Sequence, residues 1–301
     1  MSSPVHFRIF SLQPAIFDSF FSTSLIARGI AKGVFSQEVV NWRDTWGVGN
    51  YKQADDRPYG GSHGMVLQTE PIFQALSHYG AVSPLFQPSK IPTEHTRILP
   101  NNSAFEQLVR TRKQASNPIR SVTIHLTPRG FSYNQPVAEW LATEFDTINL
   151  LCGRYEGFDA RVNETVDLEL SVGNYVLNGG EVAALSVVES VARLLPGFLV
   201  KEQTAEHDSW SKNRLIHTEN MEFVLGKKRM AQSTRVVENY LKTETITKLF
   251  ENKSWLETIL PHIEHPQYTR PEIWQNWQIP ELLKGGNHKN IDAWRNNWWK
   301  L

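Results

Sequence analysis

The sequence contains a single cysteine, Cys152, among its 301 residues. One thiol excludes a fold held by internal disulfide bonds and the common zinc sites built on cysteine pairs. Long apolar runs are missing too, since none approaches the ~20 residues that cross a bilayer. The N-terminus also lacks the basic lead and apolar stretch of a secretory signal. We therefore expect a cytoplasmic protein that does not associate with membranes.

An excess of charge of either sign is also missing, because 31 basic side chains balance 31 acidic ones. This balance excludes a global electrostatic attraction to nucleic acid. Any RNA-binding surface must therefore be a local one.

Several common motifs of catalysis are absent as well. No GxGxxG follows a strand and no GxxxxGK[ST] occurs, which excludes the usual dinucleotide fingerprint and the P-loop. No GxSxG marks the nucleophile of a serine hydrolase. His262 and His265 lie close together beside a proline, a pattern more typical of surface structure than of a metal site. We predict no metal site built on them.

Hydrophobic patterning predicts an α/β fold. The apolar runs at 121–126 and 147–153 are typical of strands, and the helical pattern at 136–144 between them predicts a βα unit of a parallel sheet. We expect a third strand at 175–177 and then a long helix over 181–195, whose apolar stripe is typical of a packing or dimer face. Further helices are predicted at 17–33 and 70–79, and a long loop at 41–65.

Tryptophan is concentrated near the C-terminus. Such a cluster is typical of core packing, and stacking on nucleic-acid bases is the alternative interpretation. The tryptophans concerned are Trp255, Trp274, Trp277, Trp294, Trp298 and Trp299.

Three glycine-bearing loops, at 127–130, 153–157 and 172–181, are each expected to follow a strand. In an open parallel sheet, ligands bind beyond the carboxyl ends of the strands. Glycine lets the backbone approach such a ligand closely. Together the loops predict a pocket that holds a flat heterocycle mainly through main-chain atoms.

Five motifs then occur in the order of one known family. They are ADDRPYGGSHGM (54–65), LLCGRYEGFDAR (150–161), SVGNYVLNGGE (171–181), HPQYTRPE (265–272) and GGNHKNIDAWR (285–295). Together they resemble the bacterial tRNA (guanine-N1)-methyltransferase family, TrmD, a branch of the SPOUT methyltransferases. The resemblance covers most of the chain, apart from about 84–118 and 213–262, which we interpret as insertions.

The resemblance implies a SPOUT-type α/β fold with a parallel sheet. It implies a domain at 1–200 with a deep trefoil knot, a linker or lid at 201–215, and a smaller, mostly helical tRNA-binding domain at 216–301. It also implies S-adenosylmethionine as cofactor, tRNA as partner, and a homodimer with each active site at the interface. In the family, the methylated guanosine lies just 3′ of the anticodon after another guanosine, and the product, 1-methylguanosine, protects the reading frame.

The family's cofactor pocket is carried over to the three glycine loops. The matching residues are Leu126, Thr127, Pro128, Gly130, Gly153, Tyr155, Glu156, Gly157, Val172, Gly173, Tyr175, Leu177, Gly179 and Gly180. Glu156 is expected either to orient the cofactor's amino group or to help hold Mg²⁺. The family's usual Ile-Gly-Asp is Val172-Gly173-Asn174 here, so one carboxylate of that motif is missing.

Two residues match the family's catalytic pair. Asp208 matches the general base that removes the proton from guanine N1, and Arg193 matches the cation that stabilises the negative charge on O6. Contacts with tRNA or with the guanine pocket are expected at Asp55, Arg57, Tyr59, Gly60, Arg154, Ser209, Tyr268, Arg270, Asn287, His288 and Arg295. Arg154 is alternatively expected to contact the partner subunit.

Two alternatives to a tRNA guanine-N1 methyltransferase stay open. One is a SPOUT methyltransferase that acts on another RNA nucleotide. The other is a knotted RNA-binding protein without catalytic activity.

Overall fold

A computed structural model of the chain describes residues 4–84, 86, 120–199 and 265–297. Asp208 and Ser209 lie outside these residues, as do the linker, most of both interpreted insertions, and Trp255, Trp298 and Trp299.

A five-stranded sheet forms the centre of the described fold. Its strand order is β2-β1-β6-β5-β7, and every neighbouring pair is parallel. The strands are β1 (Val5–Phe10), β2 (Phe35–Val40), β5 (Ser121–Ser132), β6 (Thr147–Cys152) and β7 (Leu168–Ser171). Short antiparallel pairs join β3 (Asp55–Asp56) to β4 (Val66–Leu67) and β8 (Ile273–Trp274) to β9 (Trp277–Gln278). The α/β class and the parallel sheet predicted from the sequence are confirmed.

The two strands predicted from apolar runs are confirmed as β5 and β6, which pair with each other. Burial explains their composition, because β6 is buried along its whole length after the first residue. The strand β5 continues beyond the predicted 121–126. It leaves the ladder after Leu126 and returns at Phe131, and both residues pair with Leu170 of β7.

The third strand was predicted at the wrong place. The edge strand is β7, Leu168–Ser171, whereas Tyr175, Val176 and Leu177 lie in an exposed loop. Their apolar side chains suggested a strand, but in this chain they face solvent. The sequence LELS of β7 was missed because it is short and contains the carboxylate of Glu169.

The helices predicted at 17–33, 70–79, 136–144 and 181–195 are present. The described helices are α1 (Asp18–Phe21), α2 (Ser24–Ala31), α3 (Trp42–Trp46), α4 (Thr69–His78), α5 (Gln135–Glu144), α6 (Glu181–Ala192) and α7 (His288–Asn297). Two of them, α3 and α7, were not predicted. The stretch predicted as one helix over 17–33 is two helices, and the predicted loop at 41–65 contains α3 and β3. The predicted helix over 181–195 ends earlier, at Ala192, and its apolar stripe packs in the core through Val188, Val191 and Ala192.

The C-terminal residues 265–297 pack against the N-terminal part of the chain. Tyr268, Ile279, Leu283, Ile291 and Trp294 form one buried cluster with Ala160. Trp274, Trp277 and Trp294 are all buried, which confirms the core-packing interpretation for these three tryptophans. Among the described residues, no helix combines the length and the apolar character needed to cross a membrane.

Candidate functional site

The three predicted glycine loops meet at one edge of the sheet. The loop at 127–130 bulges out of β5, and the other two loops follow β6 and β7, which lie on either side of β5 and run parallel to it. The loop before α6 contacts the loop after β6, since the backbone N–H of Gly180 donates to the carbonyl of Gly153 at 3.0 Å. Arg154 and Gly179 pair as an isolated antiparallel bridge. The loops therefore form a single cluster at the position where parallel sheets bind ligands.

Two glycines of this cluster are required by close backbone approach. A Cβ atom on Gly130 would lie 2.5 Å from the backbone of Leu170, and one on Gly180 would lie 2.7 Å from Cα of Cys152. Any side chain at either position would push two parts of the site apart. Gly157 differs, because its φ is +90° and a Cβ there would meet open space. Its backbone is open to a ligand.

Glu156 lies between this cluster and the glycine-rich loop at 60–65. Its backbone N–H donates to the carbonyl of Met65 at 3.1 Å, and Gly64 is packed against its side chain. Tyr155, the residue before it, has a left-handed φ of +58° and an exposed ring. The structure thus brings Glu156 together with the glycine-rich loop whose first residue, Gly60, was expected to shape the guanine pocket.

Arg154 is partly buried and contacts the buried carboxylate of Glu181. Its Nε lies 3.0 Å from Oε2 of the buried Glu181, whose other oxygen, Oε1, accepts a hydrogen bond from Ser11 at 2.7 Å. This network joins the segments that follow β1 and β6 to the first residue of α6. The structure thus pairs Arg154 with Glu181, and its expected contact with RNA or with the partner subunit stays a prediction.

A second buried carboxylate lies beneath the loop at 127–130. Oε1 of Glu169 lies 3.2 Å from Nε of Arg129 and 3.6 Å from Nδ1 of His125. Burial alone would raise the pKa of Glu169, but Arg129 and His125 outweigh it and hold this pKa below its usual range. Glu169 is therefore ionised. Nδ1 of His125 also contacts Oδ1 of Asn163 at 2.9 Å.

Residues predicted to contact tRNA divide into exposed and buried groups. Arg57, Asn287 and His288 are exposed, and so is Arg270, whose guanidinium binds both oxygens of Asp56. Tyr268 is buried, so the expectation that its side chain faces RNA is not met in this structure. Its large apolar ring fills the cluster around Trp294.

Arg295 positions the glycine-rich loop. Its Nη2 donates to the carbonyl of Gly60 at 2.8 Å and to the hydroxyl of Ser62 at 2.7 Å. The backbone N–H of Tyr59 donates to the carbonyl of Tyr268 at 2.7 Å. Asp55 begins the short β3 strand just before this loop. The structure therefore brings together the motifs at 54–65, 265–272 and 285–295, which are far apart in the sequence.

Arg193 is not brought to the cofactor loops of its own chain. It follows the C-terminal end of α6, whereas Gly180 precedes its N-terminal end, about 20 Å away along the helix axis. The proposed base, Asp208, lies outside the described residues. The pair predicted for catalysis therefore is not assembled within the described part of one chain.

Sequence reasoning missed a buried ion pair that holds the C-terminal segment. Asp159 and Arg161 contact each other at 2.8 Å, and Arg161 donates to the carbonyls of Thr269, Glu272 and Trp277. Both residues lie within the motif LLCGRYEGFDAR, where an Asp-x-Arg spacing was the available signal. The described residues contain no cluster of three or more histidine, cysteine or carboxylate side chains suited to a metal ion.

Comparison with known proteins gives one consistent family. The profile described as tRNA (Guanine-1)-methyltransferase TrmD matches residues 5–93, 97–244 and 230–300. The tRNA (guanine-N(1)-)-methyltransferase of Clostridioides difficile is 31% identical over 292 residues, covering 97% of this chain and 90% of that protein. The protein of the same name from Rhodopirellula baltica is 32% identical, covering 97% and 87%.

Among solved structures, the tRNA (m1G37) methyltransferase from Aquifex aeolicus is similar at 24% identity. The alignment has a TM-score of 0.47 and covers 99% of this chain and 89% of that one. The profile match spans nearly the whole sequence, and the curated relatives align over nearly all of it. The chain therefore belongs to the TrmD family of tRNA (guanine-N1)-methyltransferases.

Proposed function

We propose that this chain transfers a methyl group from S-adenosylmethionine to N1 of a guanine in tRNA. Family membership supports the reaction class. The observation that carries the proposal is the meeting of three glycine loops at the carboxyl edge of the parallel sheet, with Gly180 bonded to Gly153. We propose that the target is the guanosine just 3′ of the anticodon after another guanosine, where 1-methylguanosine protects the reading frame.

The residues of the loop cluster fit the proposed cofactor. The backbone of Gly157 faces open space, and the half-buried Gly153 and Val172 are near enough to solvent to contact a ligand. Tyr155, Tyr175 and Leu177 are exposed apolar groups on the same loops, suited to an adenine ring or a thioether chain. When bound, S-adenosylmethionine supplies an electrophilic methyl group on a positively charged sulfur.

The protein's chemical task is then to prepare the guanine. N1 carries a proton and is a poor nucleophile, so we propose that Asp208 accepts this proton as N1 takes the methyl group. Arg193 would stabilise the negative charge that spreads to O6, because a guanidinium keeps its proton. Holding N1 in line with the methyl group supplies much of the rate enhancement. Glu156 is proposed to orient the cofactor or, alternatively, to help hold Mg²⁺.

We further propose a knotted fold and a homodimer that completes each site. The contact of Gly180 with Gly153 supports the knot, because it holds the chain before α6 against the loop after β6. The distance between Arg193 and Gly180 along α6 supports the dimer, since Arg193 can serve the cofactor loops of a second subunit more readily than its own. Tyr175, Val176 and Val182 add exposed apolar surface beside those loops.

The reaction is tested with labelled S-adenosylmethionine and two unmodified tRNA transcripts, one with guanosine before the target guanosine and one with adenosine there. We expect label only in the first transcript, at guanine N1. Label on another nucleotide would indicate a different SPOUT methyltransferase. Cofactor and tRNA binding without transfer would indicate the non-catalytic alternative.

The base is tested by Asp208→Asn, with Asp146→Asn as the control at the opposite edge of the sheet. We expect Asp208→Asn to retain cofactor binding and to lose at least about a hundredfold in the chemical step, in the range of general-base catalysis. The control should keep the wild-type rate. Full activity of Asp208→Asn would contradict the assignment.

The dimer is tested by light scattering on the wild type and on Val176→Asp with Val182→Asp. We expect a dimer that the two charges separate into inactive monomers. A monomeric wild type with full methylation activity would overturn the shared-site proposal.

A further inference from the structure

The loop at 127–130 stands out from the sheet as a bulge. Leu126 and Phe131 both pair with Leu170, so the four residues between them have no place in the ladder. Such a loop is free to take many conformations unless other contacts fix it. This loop carries the proposed cofactor residues Thr127, Pro128 and Gly130.

Two contacts fix the bulge, and both are made by β7. Gly130 lies directly against the backbone of Leu170, without room for a Cβ atom. Arg129 reaches the carboxylate of Glu169, the residue before Leu170, at 3.2 Å. The contact of Gly130 sets the distance of the loop from β7. The contact between Arg129 and Glu169 sets the direction of the exposed part of the loop.

The Arg129–Glu169 pair is buried and belongs to a larger polar cluster. Glu169 is 8% exposed and Arg129 14% exposed. His125 contacts Glu169 from the preceding part of β5, and Asn163 contacts His125 through Oδ1. Because Nδ1 of His125 faces two oxygen acceptors, we assign its hydrogen to that nitrogen. The carboxylate is thus fixed from two sides.

Stability alone does not explain a buried ion pair at this position. Well-packed apolar residues of similar size are often as stabilising as a buried pair, because burial removes both charges from water. An apolar pair would not, however, fix the direction of a long side chain as a hydrogen-bonded carboxylate does. The pair therefore suits a role in orienting the loop.

We propose that Glu169 is a positioning residue for the cofactor: through Arg129 it holds the 127–130 loop in the conformation that binds S-adenosylmethionine. This inference rests on the proposed function, because it requires that the loop bind this cofactor. Glu169 itself is buried beneath the loop and acts through Arg129.

The first test compares the effects of Arg129 and Arg120, which lie near opposite ends of β5, on the binding of S-adenosylmethionine. Arg129→Gln and Glu169→Gln should each weaken S-adenosylmethionine binding about tenfold or more, the size expected for loss of a charged hydrogen bond. The rate at saturating cofactor should change much less. The control is Arg120→Gln, which breaks the 3.1 Å pair between Arg120 and Asp146 at the other end of β5 and should leave cofactor binding unchanged.

The second test separates orientation from stability. The double variant Arg129→Met with Glu169→Leu replaces the ion pair by an apolar pair and should fold about as stably as the wild type. We expect its affinity for S-adenosylmethionine to stay low. Recovery of both stability and affinity would show that the pair only fills space, and would overturn the proposal.

A third measurement does not depend on the cofactor. Hydrogen exchange at the amides of Thr127 and of residues 129–132 should accelerate in cofactor-free Glu169→Gln and stay unchanged in Arg120→Gln. If the wild type fails to bind S-adenosylmethionine, the proposed function falls while this exchange result still reports whether Glu169 holds the loop. Unchanged exchange in Glu169→Gln would overturn the positioning role.

Discussion

Two ion pairs, one at the amino-terminal and one at the carboxyl-terminal ends of the strands of the central sheet, have similar nitrogen–oxygen distances but differ in burial. At the amino-terminal edge, Arg120 and Asp146 lie 3.1 Å apart with side chains 41% and 33% exposed. At the carboxyl-terminal edge, Arg129 and Glu169 lie 3.2 Å apart but are mostly buried. Distance alone therefore does not distinguish the pairs, whereas burial does.

Burial of charge is concentrated where the proposed site lies. The Arg154–Glu181 pair, with its arginine 23% exposed, joins the segments that follow β6 and β7. The buried Asp159–Arg161 pair lies within the segment after β6, and Arg161 joins this segment to the carbonyls of Thr269, Glu272 and Trp277. Exposed pairs contribute little to stability, and buried pairs are costly unless every polar atom is satisfied. The comparison indicates that this chain uses buried charge to hold loops in place at the carboxyl edge of its sheet.

The largest effect is expected from Arg161→Ala. The substitution leaves the carboxylate of Asp159 buried without its partner and removes hydrogen bonds to three carbonyls of the C-terminal segment. Breaking a buried pair in this way costs about 3–5 kcal/mol. Denaturant unfolding measures the loss. A loss below about 1 kcal/mol would show that burial does not set the importance of these pairs.

Glu181→Gln should have the next largest effect. The amide oxygen of the introduced glutamine can still accept a hydrogen bond from Ser11, but the substitution removes the negative charge that binds Arg154. We expect a loss of about 1–3 kcal/mol in the free energy of unfolding, typical of a hydrogen bond to a charged group. Glu144→Gln, on the exposed end of α5, is the matched control and should leave stability unchanged. Equal effects of the two substitutions would contradict the conclusion that a buried ion pair stabilises the protein more than an exposed charge does.

Asp56→Asn should have a smaller effect on the free energy of unfolding, and this effect should depend on pH. Hydrogen bonding from Arg270, opposed by burial and assisted by the backbone N–H of Arg57, holds the pKa of Asp56 below its usual range. The contribution to stability is therefore complete above the ordinary aspartate pKa, about 4, and is lost as pH falls through the lower value of the folded protein. The stability difference between wild type and Asp56→Asn should shrink as pH falls from about 7 to about 3. A difference that stays constant over this range would show that the charge of Asp56 does not hold Arg270.

The fold could be predicted where periodicity and burial agree. The strands β5 and β6 are apolar runs that are buried, and α4 and α5 have helical patterns that pack on one face. Prediction failed at β7 and at 175–177 because the two segments reverse the usual rule. The buried strand contains Glu169, and the exposed loop contains Tyr175 and Val176.

The loops of the candidate site could be predicted from the sequence, but the ion pairs and hydrogen bonds that join them could not. The glycines at 130 and 180 and the motif containing Glu156 predicted a site at the carboxyl edge of the sheet, and the structure brings their loops to that edge. The pairing of Arg129 with Glu169 depends on how β5 and β7 align, and no local pattern encodes that register. Likewise, the docking of residues 265–297 on Asp159 and Arg161 joins segments more than one hundred residues apart.

The smallest effect is expected from Arg120→Gln, and it is the sharpest test of the comparison. Arg120 lies beside the start of β5 and binds Asp146 and the carbonyl of Thr143, but its side chain is open to solvent. Water therefore replaces the lost contacts, and we expect a change in the free energy of unfolding of at most about 0.5 kcal/mol that decreases further in high salt. Denaturant unfolding at two salt concentrations measures it. A loss above about 1 kcal/mol that is insensitive to salt would mean that the exposed pair behaves like the buried ones. In that case the ion pairs at the carboxyl edge would not differ from the exposed pair in their contribution to stability.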